Sequence, residues 1–415
     1  MKGIYEFASE AQLKKYAELA VRAGVNLQKD QLLIIHSDIQ HAAFARFIQT
    51  AAYEAGASHV FIDWTDEQST KEFYLNAADS VIDYFPDWQA ARFKEWENEG
   101  AAYIHIISEN LDVFKEVSTE KINRYQKASR TKLSDYYTKI RSHEVRWALL
   151  TAPNAAWATK VFPDLNEEEA LQSLWKLILK GSRADGKYPI KDWQRHNRAF
   201  ETRKKILNES QFEALHFTNS HGTDLLVGLP ENHLYIGGGV TDKNGIPFFP
   251  NIPTEEIFTA PHKNKVNGKL AGTKPLIYGG SVIDEFYLIF KGGRITDYYA
   301  AKGQEVLQNL IETDEGSHYL GEIALVSNQS PLAQADTLFY NTLFDENTSC
   351  HIGTGNASPS NIQNGIDHSE EELKAAGLNT SLLSVNVTFG TEDMQVVGIK
   401  EGETEVLLMK DGEFQ

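Results

Sequence analysis

A single cysteine, Cys350, among 415 residues excludes an internal disulfide and fits a reducing compartment. No run of about 18 apolar residues occurs, which excludes a spanning helix of the usual kind. The start MKGIYEFASEAQLKKYAEL is amphipathic and lacks the apolar stretch of a signal peptide. A cytoplasmic location is expected. Positive charge is in short supply: 40 basic residues face 58 acidic ones, for a net charge of −18. That balance argues against nucleic acid or an anionic membrane as partner and leaves small or peptide-sized ligands. Two motifs are also missing. No Gly-x-Gly-x-x-Gly follows a strand-like run, so a dinucleotide site of that kind is not expected, and no His-Glu-x-x-His marks a local zinc site.

What is present reads as two domains, since 415 residues exceed what one compact core holds. A helix is expected over 9–23, ending at Gly24 and leading into the buried-strand run Leu32 to Ile35. A second helix over 40–55 closes with Gly56 before the strand His59 to Ile62. Further strands are expected at Tyr103 to Ile107 and Trp147 to Leu150, and NEEEALQSLWKLILKG reads as a capped helix stopped by Gly181. This rhythm of strand, helix, strand implies a mostly parallel sheet. From about residue 210 the texture changes. LHFTNSHGTDLLVGL, ENHLYIGGG, EFYLIFKGGRITDYYA and EVLLMKDGEF read as strands and hairpins, with Lys-Gly-Gly and Lys-Asp-Gly as turns. The expectation is an N-terminal parallel α/β domain over 1–205 and a β-rich α+β domain over 206–415, joined near the charged helical stretch 198–210.

Several groups could carry chemistry. His36-Ser37-Asp38 superficially resembles a catalytic trio, but neighbouring residues cannot converge as a relay must, so it reads as a strand end and helix cap. Cys350-His351 is no better as a thiol pair, because adjacent side chains on a strand diverge; a buried structural cysteine is expected. PNIPTEEIFTAP places Glu255 and Glu256 between prolines that stiffen the segment and keep it extended, pointing the two acids to opposite faces. Glu322 in YLGEIALV and His351 in SCHIGTG sit in equally confined surroundings. Carboxylates with an imidazole suit a zinc-like ion with an open position for water. On spacing alone these residues stay open to a reading as a polar turn and scattered surface groups, which is what dispersed acids and histidines usually are.

NIPTEEIFTAPHKNKVNGKLAGTKPL, EGSHYLGEIALV and DENTSCHIGTGNASPSN together resemble the thermophilic metallo-aminopeptidase family that includes aminopeptidases S and T. The likeness spans the chain and is strongest over about 215–360. It implies a cytoplasmic homodimer of two-domain chains with two divalent ions in the C-terminal domain, removing N-terminal residues from peptides. It places metal ligands at Glu256, Glu322 and His351, with Glu322 also as general base and Glu255 turned away. It departs at three positions. The family's tyrosine falls on Ser358, and its His-x-Asp pair falls on Asn386-Val387-Thr388. No register shift restores the pair, because residues 376–391 hold neither histidine nor acid. Two cations about 3.5–4 Å apart need bridging anions, so the expectation is at most one divalent ion of the zinc, cobalt or manganese class, with His318 and His368 as possible substitute ligands. The function expected is a metal-dependent aminopeptidase acting on short peptides. The alternative is an inactive homologue that binds peptides or a protein, and a third reading is another hydrolase or lyase using Ser358 or Cys350.

Overall fold

The computed structural model describes residues 7–110, 112–278, 281–402 and 404–415; the first six residues of the amphipathic start lie outside them. The chain forms two compact units. One runs to Arg195 and regains Gly239–Pro253; the other comprises His196–Gly238 and Thr254–Gln415. The division falls inside the long helix Pro189–Ser210.

In the first unit, helix Glu10–Leu19 is started by Ser9, whose side chain accepts the Gln12 N–H while the Gln12 side chain returns to the Ser9 N–H. Its Leu13, Tyr16, Ala17 and Leu19 are buried. Helix Ala42–Ala55 ends at Gly56, where φ of 97° suits glycine in a left-handed cap. Helix Glu167–Gly181 begins with the same reciprocal cap, here between Asn166 and Glu169. Four parallel strands, β1 (Leu32–Asp38), β2 (His59–Thr65), β3 (Ala102–Ile107) and β4 (Trp147–Thr151), lie in the order β2-β1-β3-β4. The run Leu33, Ile34, Ile35 is buried on both faces, as a helix-covered parallel sheet requires.

The structure takes the His36-Ser37-Asp38 trio apart. Asp38 accepts the backbone N–H groups of Gln40 and Glu67, both at 3.0 Å. His36 Nδ1 instead lies 3.1 Å from Asp63, which a bidentate pair from Arg92 holds at 2.8 and 3.0 Å.

The second unit opens with the hairpin β5 (Ala214–Thr218) and β6 (Asp224–Gly228). The short ribbon β7 (Val240–Thr241) and β8 (Pro247–Phe248) belongs to the segment returned to the first unit. The second unit resumes with β9 (Glu256–Thr259), β10 (Val266–Ala271), β11 (Leu276–Tyr278), β12 (Ser281–Lys291) and β13 (Arg294–Lys302). It continues with β14 (Leu320–Val326), β15 (His351–Gly355) and β16 (Ser384–Thr388). β17 (Gln395–Lys400), β18 (Thr404–Lys410) and β19 (Glu413–Phe414) end the chain. A large sheet runs β11-β12-β10-β6-β5-β17-β18-β19, with β13 added to β12, and a small sheet runs β16-β15-β14-β9.

Phe217, Leu225, Val227, Leu270, Phe286 and Leu288 of the large sheet share one core with Ile257, Ile323, Leu325, Ile352 and Val387 of the small sheet. The expected β-rich second domain is therefore observed. One expectation fails. ENHLYIGGG makes only isolated bridges, His233 to Ile362 and Ile236 to Phe258. Gly237 and Gly238 adopt φ of 139° and 71°, and a Cβ at Gly237 would lie 2.2 Å from the Glu256 carbonyl oxygen. The glycines serve a close backbone approach and not a strand. Among the described residues no helix is long and apolar enough to cross a membrane.

Candidate metal centre

Strand alternation sorts the small sheet into an apolar and a polar face. Cα partners run Val326 to Glu256, Ala324 to Phe258 and to His351, and Glu322 to Gly353. Across the next pair they run His351 to Thr388, Gly353 to Asn386 and Gly355 to Ser384. Directly paired residues share a face. Glu256, Glu322, His351, Ser384, Asn386 and Thr388 thus stand on one side, while Ile257, Ile323, Ile352 and Val387 enter the core on the other. Leu320 is also a core residue, although simple alternation would put it on the face of Glu322. The register shift between Leu320 and Glu322 resolves this: one extra residue, Gly321, forms a bulge that turns Glu322 away from the core. Glycine is required there, since a Cβ would meet the carbonyl oxygens of Asn356 and Gly355 at 2.3 and 2.5 Å. Gly321→Ala is accordingly expected to cost about 1–3 kcal/mol, as overpacking does. It is also expected to weaken metal retention by displacing Glu322, both measurable by denaturant unfolding with and without added metal.

Glu256, Glu322 and His351 each offer one ligand atom within 4.8 Å of the others. His351 Nε2 lies 3.2 Å from Glu256 Oε2 and 3.4 Å from Glu322 Oε1. For a four-coordinate ion with bonds of about 2.0–2.1 Å, ligand atoms at the corners of a tetrahedron stand about 3.3 Å apart. The observed separations match that edge. They do not mark an aligned hydrogen bond, since His351 Nε2 and Glu256 Oε2 are buried with no hydrogen-bond partner. His351 is fully buried, and its Nδ1 lies 3.1 Å from the Ser349 carbonyl oxygen. A carbonyl only accepts, so Nδ1 carries a proton, and Nε2 is the ring atom turned to the carboxylates and left to bind a cation.

Glu256 is held through the backbone before it. His196 Nε2 donates to the Thr254 carbonyl at 2.7 Å, and the Glu255 N–H donates to Asn347 Oδ1. Glu255 is 7% exposed, with a carboxylate oxygen 3.8 Å from His196 Nε2. Glu255, expected to turn away, is thus met by a structural partner, His196, and not by solvent.

A fourth ionisable group, Glu346, escaped the sequence reading. It follows a short helical turn, Thr342–Asp345, so no strand periodicity flagged it; the available signal was the acid pair Asp345-Glu346 five residues before His351. Asn386 Nδ2 donates to Glu346 Oε2 at 3.2 Å. Asn386 Oδ1 and Glu322 Cβ lie 3.1 and 2.9 Å from where a Gly353 Cβ would stand, so Glu346 and Asn386 adjoin the three converging groups. Burial pushes the carboxyls of Glu256 and Glu346 up, and the neighbouring carboxylates add to the push. Burial alone would lower the His351 imidazole, but Glu256 and Glu322 outweigh it and raise it well above the usual range. Mutual repulsion among three acids around one imidazole is what a bound cation relieves.

The other candidates fall as follows. Asn386 and Thr388 stand on the face of the site, Thr388 opposite His351. Ser358 lies beyond the end of β15, where its carbonyl accepts the Asn361 N–H at 3.1 Å. His318 ends one turn of 3-10 helix and His368 follows another. Neither belongs to the converging group among the described residues. Cys350 is 2% exposed with its thiol pushed up by burial, as expected of a structural cysteine.

The likeness to known proteins extends over the whole of both units. Aminopeptidase AmpS of Bacillus subtilis is 42% identical over 388 residues, covering 94% of each chain. Aminopeptidase 2 of Geobacillus stearothermophilus is 41% identical over 397 residues, covering 95% of this chain and 96% of its own. The solved structure of wild-type AmpT from Thermus thermophilus matches with a TM-score of 0.90 at 36% identity, over 98% of this chain and all of that one. Residues 9–414 match the thermophilic metalloprotease (M29) family, and the chain belongs to that family.

Proposed function

We propose that this chain is a metal-dependent aminopeptidase for short peptides whose centre takes one divalent ion of the zinc, cobalt or manganese class through Glu256, Glu322 and His351. The observation that carries the reading is the pair of 3.2 and 3.4 Å separations around a fully buried Nε2 that has no hydrogen-bond partner. Two carboxylates and an imidazole are accepted ligand types for such an ion and make up the three-ligand count of many hydrolytic zinc sites, so the residues present fit the group. When bound, the ion supplies polarisation of a scissile carbonyl and acidifies a water.

The protein residues supply the remainder. Ser349 fixes the His351 tautomer, and the Thr254 and Glu255 backbone contacts keep Glu256 rigid. The Glu322 side chain, 25% exposed against 10% for Glu256, is the ligand within reach of solvent and therefore the carboxylate placed to take a proton from water. The neutral Asn386 and Thr388 on the same face support the second reading, an inactive homologue that binds peptides. Metal analysis of protein purified without chelator, beside a panel of amino-acid arylamides, separates the two. About one ion per chain with chelator-sensitive hydrolysis is the expected result. A retained ion with peptide binding but no turnover favours the second reading, and no retained ion overturns the metal centre.

A further inference from the structure

β9 is the edge of the small sheet. It pairs with β14 on one side, and on the other, among the described residues, it has the single bridge of Phe258 to Ile236. Glu256 is its first residue, so a metal ligand stands at a strand end, where sheet pairing alone holds a residue least.

One face of the helix Pro189–Ser210 backs this corner. From His196 on the helix belongs to the second unit, and His196, Phe200 and Arg203 follow the spacing of one helical stripe. His196 donates to the Thr254 carbonyl at 2.7 Å. A Cβ at Gly238 would meet the Phe200 ring at 2.9 Å, and the adjoining Gly237 abuts the Glu256 carbonyl. Arg203 is part-buried, its guanidinium carbon 4.4 Å over the Phe414 ring. Burial pushes that guanidinium down, and two carboxylates counter the push, Glu255 from the ligand segment and Glu413 from β19. Glu413 also accepts from Ser327 Oγ at 2.9 Å, while the Asn328 N–H donates to the Gly412 carbonyl at 3.0 Å. Ser327 directly follows Val326, the β14 residue opposite Glu256. The start of β9, the end of β14 and the last strand of the chain thus come together around one cation.

We propose that Arg203 is a positioning residue for the metal centre, neutralising Glu255 and Glu413 together and so tying β19 to the segment that carries Glu256. This rests on the metal-centre reading above. A guanidinium stays charged and has no lone pair to offer a metal. Its own field opposes a bound cation, so electrostatics alone predicts tighter metal binding without Arg203. The positioning role predicts the reverse.

The test needs no turnover. Each chain is titrated with cobalt(II) in competition with a chelator, the visible absorption of the bound ion is recorded at saturation, and denaturant unfolding is followed in excess chelator. Arg203→Met keeps a stem over Phe414 and removes the charge. It should weaken cobalt binding by about 10–100-fold and change the cobalt spectrum. Arg203→Lys should recover part of the affinity, as should Arg203→Met combined with Glu255→Gln, which removes the acid left uncompensated. Should Arg203→Met fail to fold, Glu413→Gln serves in its place, since it can still accept from Ser327 and loses only the charge; it too should weaken cobalt.

A lower unfolding midpoint in chelator with unchanged cobalt affinity and spectrum would make Arg203 structural only and overturns the proposal. Tighter cobalt binding in Arg203→Met or Glu413→Gln overturns it as well, and in both cases the metal centre stands. An unmodified chain that binds no cobalt overturns the metal centre itself.

Discussion

Exchange of Glu256 for glutamine is expected to abolish firm binding of a divalent ion and, with it, the effect of chelator on stability. The substitution keeps the shape of a side chain that is 8% exposed and removes only the charge. Loss of a first ligand costs at least the roughly 10–100-fold that outer partners of such sites are worth. In the unmodified chain, metal at 100 times its dissociation constant stabilises the native state by about 2.7 kcal/mol, because the unfolded chain does not hold the site together. Chelator should remove that increment. It leaves Glu256, Glu322 and Glu346 facing one another in surroundings that already push two of these carboxyls up. The glutamine variant lacks one of the three charges. With metal it should therefore unfold at a lower denaturant concentration than the unmodified chain, and in chelator at an equal or higher one. Identical midpoints for both chains in both conditions would show that Glu256 holds no ion.

How far the sequence could carry this differs from element to element. The parallel sheet was legible because Leu32 to Ile35 forms an unbroken apolar run between helices with clear stops at Gly24 and Gly56, and the β hairpins because Lys-Gly-Gly and Lys-Asp-Gly admit only tight turns. ENHLYIGGG misled because Leu234 and Ile236 alternate as a strand would, while the constraint that decides the segment lies in the Glu256 backbone against Gly237.

The convergence of Glu256, Glu322 and His351 was not legible from spacing, since they are brought together by pairings across about 30 residues of chain between β14 and β15 and across 64–70 between β9 and β14. It reached the sequence reading only through family resemblance. The bulge at Gly321 was hidden for a similar reason: LGEIALV alternates acceptably in either register, and only the packing of Leu320 on one side and Glu322 on the other reveals the extra residue. Glu346 opens a 3-10 turn of only three residues, Glu346–Thr348, too short for a pattern among its neighbours to assign it a direction.

The last expected result concerns the three neutral side chains of β16. Ser384, Asn386 and Thr388 share the face of the site, so a two-residue shift in the placement of the family's His-x-Asp pair changes no face; the pair falls either on Asn386 and Thr388 or on Ser384 and Asn386. The geometry distinguishes them. Asn386 is 3.2 Å from the Glu346 carboxylate and stands across Gly353 from Glu322, so an acid is best placed there to share a cation with both. Thr388 stands opposite His351, on the side already supplied with ligands.

Ser384→His with Asn386→Asp is therefore expected to raise metal content from about one ion to two per chain, because a carboxylate at 386 would oppose Glu346 unless a cation lies between them. Asn386→His with Thr388→Asp should raise it less. Metal analysis after exhaustive dialysis reads the outcome directly, and arylamide turnover should rise with the second ion. Equal stoichiometry in both double variants and in the unmodified chain would mean that β16 contributes nothing to cation binding. A higher count in the second variant would place the acid at 388 instead.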